Sequence, residues 1–77
     1  MEKDLIEYIA KSLVDDPSSV SVDVSEGEAA ISLKLSVRED DIGKVIGKHG
    51  RIIKSIRTVL QAATAKSGKR AVLELVD

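Results

Sequence analysis

With 77 residues and no cysteine, the chain has room for one domain, at about half the ~150-residue domain prior, and excludes a disulfide scaffold or a cysteine-ligated metal site. A hydrophobic fraction of 43% beside 32% charged residues excludes a disordered chain, and a single aromatic, Tyr8, leaves too few rings for binders that stack bases on aromatic platforms. The net charge of −1 conceals an asymmetry: residues 1–41 carry four Lys/Arg against eleven Asp/Glu, residues 42–77 eight against two, and such a basic half points to an anionic partner.

Apolar periodicity predicts a first helix over 4–14, with Leu5, Ile6, Ile9 and Leu13 on one face and Tyr8 packing at its edge. Asp4 followed by Glu7 fits a capping box, and Asp15-Asp16-Pro17 stops the helix because the residue before proline avoids helical angles. Val20, Val22 and Val24 alternate with polar residues, as do Ile31, Leu33, Leu35 and Val37; with a turn at Glu26-Gly27-Glu28 they predict an antiparallel hairpin. Glu39, Asp40 and Asp41 suit a helix N-terminus, so a short helix is expected from about Asp40 to Ile46. After Gly47-Lys48-His49-Gly50, a longer helix is expected over 51–65, with Ile52, Ile53, Ile56, Val59, Leu60 and Ala63 inward, stopped by Ser67-Gly68. A last strand over 70–76 places Ala71, Leu73 and Leu75 on one face.

The order α-β-β-α-α-β defines an α+β fold in one domain spanning 1–77. The last two strands are joined through two helices, which permits a parallel pair with a right-handed crossover and the helices on one face of a mixed three-stranded sheet. No apolar run exceeds three residues, so no membrane span or export signal is expected and the default location is cytoplasmic.

The segment from Ile42 to Ile53 carries the chemistry. Ile42, Val45 and Ile46 form a buried stripe on the short helix, while Gly43 and Gly47 form a second stripe without side chains. Glycine in a helix costs about 1 kcal/mol relative to alanine, so two on one stripe imply close approach by another backbone or a ligand. Gly47 and Gly50 bracket a turn whose tip bears Lys48 and His49 and which leads into a helix N-terminus, where free N–H groups attract phosphate oxygens. Lys44 precedes the turn, and Arg51 and Lys54 follow it in the first turn of the helix. Cations there oppose the helix dipole, which suggests that an external anion completes the balance.

The string Val45-Ile46-Gly47-Lys48-His49-Gly50-Arg51-Ile52-Ile53 matches the VIGxxGxxI signature of KH domains. Nearly the whole chain resembles a type II KH fold. Three stretches, 42–48, 56–58 and 67–74, resemble the small single-domain bacterial KH RNA-binding proteins of the KhpA/YlqC type. The resemblance implies a GxxG loop that clamps the sugar-phosphate backbone of about four nucleotides of single-stranded RNA. Gly47, Lys48, His49 and Gly50 would meet that backbone, Gly43 would line the groove floor, and Lys44, Arg51 and Lys54 would add phosphate contacts. It further implies a post-transcriptional or translational regulator or RNA chaperone, and a homodimer or a heterodimer with a second KH protein. The turn at Ser25-Glu26-Gly27-Glu28 is short and acidic, so contacts are expected on the helical side with low sequence specificity.

Other readings compete. The two loop glycines alone fit a helix–turn–helix connection without a ligand, and the fold could serve mainly as a dimerisation or adaptor module with RNA secondary. The stretch from Gly43 to Lys48 has one residue too few between its glycines for a P-loop, and His49 stands where Ser or Thr should bind Mg²⁺. Neither an enzyme, a small-molecule substrate nor a cofactor is therefore expected. His49 is the only histidine, and metal sites need several ligands, so it reads as a loop donor to phosphate. Lys66, Lys69 and Arg70 read as solvated surface.

Overall fold

The structure, a computed structural model, describes residues 2–76. Helix α1 (Glu2–Leu13) leads through a 3-10 turn at Pro17–Ser19 into strands β1 (Ser21–Glu26) and β2 (Ala30–Ser36). A second 3-10 turn, Glu39–Asp41, precedes the short helix α2 (Ile42–Ile46), and the turn Lys48–Gly50 joins it to α3 (Arg51–Thr64). Strand β3 (Arg70–Val76) closes the domain. The expected order α-β-β-α-α-β holds.

Strand β2 is central, antiparallel to β1 and parallel to β3. The alternation of Ile31, Leu33 and Leu35 places all three on the helix side, in register with Val24 and Val22 of β1 and with Ala71, Leu73 and Leu75 of β3. Leu33 and Leu35 are wholly buried, together with Ile6 and Ala10 of α1, Val45 of α2 and Leu60 of α3. Truncating such a side chain to alanine typically costs about 2–5 kcal/mol.

Three local expectations are corrected. Helix α1 begins at Glu2, so Asp4 lies inside the first turn and no capping box starts there; Glu2 and Lys3 are good helix formers that extend the helix upstream. Its buried line runs through Ile6, Ala10 and then Val14, while Leu5, Ile9 and Leu13 are half-buried. Tyr8, about 200° round the helix from Ile6, is 74% exposed rather than packed. On α3 the inner line is Ile53, Ile56, Leu60 and Thr64; Val59 and Ala63 face outward. Thr64 tolerates burial because its hydroxyl donates to the Leu60 carbonyl at 3.0 Å.

Candidate nucleic-acid interface

The loop between α2 and α3 is built from three departures from ordinary backbone within four residues. Gly47 ends α2 at φ 75°, donating its N–H to the Gly43 carbonyl at 2.9 Å. Gly50 stands at φ 71° and donates to the Gly47 carbonyl at 3.1 Å. Between them His49 takes φ 58°, and it is the one non-glycine with positive φ among the described residues. A side chain at Gly47 is excluded twice over, by its φ and by space: a Cβ there would lie 2.5 Å from Ile52 Cγ1. Gly50 is N-cap to the 14-residue helix α3 and no side chain caps that helix; the Arg51 N–H is taken by the Lys48 carbonyl, so the helix start is only partly open.

Gly43 is different. A Cβ built on it meets nothing within 4 Å, so no other backbone of this chain approaches the bare stripe of α2. Packing within the described residues therefore does not require a glycine at position 43.

The cations separate. Lys48 and His49 are exposed at the loop tip, and Lys54 is exposed one turn into α3. Arg51 turns to the opposite side, lining a crevice between α1 and α3 with Ile9, Leu13, Ile52, Ser55 and Val59. Lys44 is drawn into an ion pair with Asp15 and a second, at 3.4 Å, with Asp41. The Asp15 carboxylate that accepts from its ammonium raises the Lys44 pKa above the ordinary lysine value, and Asp41 adds to the effect. Lys69, read from the sequence as solvated, pairs with Glu26 at 2.5 Å; that hydrogen bond lowers the Glu26 pKa.

Asp41 was legible only as one of three acids before a helix. It is the buried one, 1% exposed, and it does not cap α2. Its two carboxylate oxygens accept the backbone N–H groups of Asp15 at 3.2 Å and Asp16 at 3.1 Å. Burial alone would raise its pKa, but these two N–H groups and Lys44 outweigh burial and hold it below the ordinary carboxylate value.

Beside the loop, on the β3 side of α3, runs a groove of about 560 Å³ lined by Ile46, Ile53, Arg57 and the strand residues Val72 to Leu75. Its apolar walls come from the end of α2 and the start of α3, and its far wall is the outer edge of β3, which pairs with no further strand among the described residues. Side chains of α3 reach this edge instead: Arg57 donates to the Leu73 carbonyl, and Gln61 to the Ala71 carbonyl at 2.5 Å. Sequence reasoning gave Arg57 no role, although it lies in the 56–58 stretch that carries part of the family resemblance. The acidic turn of the hairpin lines no part of this groove.

A GxxG loop between two helices, an apolar groove beside it and a three-stranded mixed sheet in the order β1-β2-β3 define a KH domain of type II topology. A family model described as KhpA/KhpB, KH domain, matches residues 3–75, and the chain belongs to that family. It is 55% identical over 74 residues to the RNA-binding protein KhpA of Clostridium acetobutylicum, covering 96% of this chain and 99% of the relative. It is 51% identical over 77 residues to the RNA-binding protein KhpA of Treponema pallidum, covering 100% and 96%. Among solved structures it resembles Era in complex with MgGDPNP and nucleotides 1506-1542 of 16S ribosomal RNA, with a TM-score of 0.66 and 27% identity. That match covers 96% of this chain but only 28% of the Era chain.

Proposed function

We propose that this protein is a single KH domain that binds single-stranded RNA, its GxxG loop clamping the sugar-phosphate backbone of about four nucleotides, with low overall sequence specificity. The observation that carries the reading is the juxtaposition of the loop with the groove. Exposed Lys48 and His49 lie in the loop between Ile46 and Ile53, the two residues that supply the helical wall of the apolar trough. Bases laid in that trough pack on Ile46 and Ile53 and meet the edge of β3, which is why no aromatic platform is needed. Relatives named as RNA-binding proteins over nearly their whole length support it.

In this reading Gly43, Gly47, Gly50, Lys48, His49 and Lys54 serve RNA directly. Arg51 lines the crevice on the other side of α3 and not the groove, and Lys44 holds α2 in place. The role is that of a post-transcriptional or translational regulator or RNA chaperone in the cytoplasm, without catalysis. No helix among the described residues is long and apolar enough to cross a membrane.

A groove for about four nucleotides holds little affinity by itself, and linking two grooves gains effective concentration. The crevice between α1 and α3, with Ile9, Leu13, Ile52 and a 45%-exposed Val59, is the surface that favours pairing with a second KH domain, in the same or another protein.

Salt dependence tests the clamp. Four phosphate contacts on a single strand give a log–log slope of about −3; a slope near zero overturns the reading. Replacing Lys48 and His49 together by Asp is expected to weaken binding by about a hundredfold or more while leaving self-association intact.

A further inference from the structure

Resting on the RNA-binding reading, we infer that Arg57 is a specificity-determining residue: its guanidinium reads one base in the groove and favours guanine or cytosine over adenine. Arg57 differs from the other cations of the basic half. Lys48 and Lys54 are flexible and exposed, Lys44 and Lys69 are paired with carboxylates, and Arg51 faces the α1 side. Arg57 alone among them lines the groove and is held there by backbone: Nε and Nη2 donate to the Leu73 carbonyl at 3.4 and 3.3 Å.

That anchor has a chemical consequence. A guanidinium offers five N–H donors in a rigid fork and no acceptor. Two donors are committed to the strand edge; the remaining three are left for whatever occupies the trough. A base packed against Ile46 and Ile53 that reaches Arg57 therefore meets a fork that only donates. Guanine offers O6 and N7, and cytosine O2 and N3, as adjacent acceptors, whereas adenine sets its N6 amino donor beside N1 and N7. The adenine amino group would face N–H groups with no acceptor between them. Glu74, the one acid lining the groove, sits one residue along β3 from Leu73, and the guanidinium hydrogen-bonds to the Leu73 carbonyl rather than to it. One such subsite is compatible with low specificity over the whole site.

The test uses the full chain and uracil-rich RNA oligonucleotides that differ only in carrying adenine, guanine or cytosine at one position, scanned along the strand. At one register the wild type is expected to bind the guanine or cytosine oligomer about tenfold or more tighter than the adenine one, the discrimination of a well-placed Arg–base pair. In Arg57→Ala that ratio falls to within about twofold while the salt slope stays within about 0.7 of wild type. Arg57→Lys keeps the charge but not the fork, so it also loses the ratio; its retained thermal melt guards against a folding defect. The inference is overturned if the wild type shows no preference at any register. It is also overturned if Arg57→Ala weakens all oligomers equally, which makes Arg57 a phosphate contact. Wild-type failure to bind any oligomer would instead refute the RNA-binding reading itself.

Discussion

Lys44 and Lys48 lie four residues apart, the first inside the five-residue helix α2 and the second in the turn beyond its end, and their fates are opposite. On one side, Asp41 and Lys44 are knotted to the chain that follows α1: Asp41 accepts the N–H groups of Asp15 and Asp16, and Lys44 pairs with Asp15 and Asp41. On the other side, Gly43 and Gly47 present bare backbone and the loop beyond them leaves Lys48 in solvent. A helix this short is not stable alone. It must be held by one side if the other is to stay empty. The same residue type, lysine, is thus architectural at one position and available to a ligand four residues later.

The contrast can be broken from either side. The largest effect is expected from Gly47→Ala, where positive φ and the 2.5 Å approach to Ile52 Cγ1 act together: a loss of about 2–3 kcal/mol in chemical denaturation, with RNA binding lost as the loop shifts. An unchanged unfolding midpoint would show that Ile52 yields freely.

Breaking the knotted side gives a pH-dependent effect. The Asp41 pKa is depressed in the folded state from its ordinary value of 3.8. Its contribution to stability is therefore present above that value and is lost as pH falls through the folded-state value. Asp41→Asn should melt lower than wild type near neutral pH, and the gap should close as pH is taken below about 4. A gap that persists unchanged into acid would mean that the charge of Asp41 contributes nothing.

The smallest effect sharpens the comparison most. Gly43→Ala adds a Cβ into open space, so it should stabilise the protein by up to about 1 kcal/mol through helix propensity while weakening RNA binding. Greater stability with unchanged affinity would remove Gly43 from the groove floor.

Much of this was legible in advance. The period-two runs around Leu33 and Leu73 and the helical spacing of Ile53, Ile56 and Leu60 place the core without ambiguity, and the glycine pair 47/50 marks the loop. The rest was hidden for identifiable reasons. Val59 and Ala63 read as core because periodicity locates a stripe only to within a residue or so on either flank. Tyr8 read as packing because hydrophobicity does not say which way a border residue turns. Asp41 among three acids, and Lys44 among several lysines, take their meaning from Asp15, which is 26 and 29 residues away. Arg57 acquires a role only when the outer edge of β3 is folded against it, a contact across 16 residues.

That edge also imposes an order in time. The GxxG loop is complete once Gly50 has been made, but the far wall of the trough, Val72 to Leu75, follows some twenty residues later. At synthesis rates of about 5–20 residues per second, about one to four seconds separate the making of the loop from the making of that wall. Because β3 pairs in parallel with a strand more than thirty positions upstream, the far wall of the groove depends on a long-range pairing that the loop itself does not need.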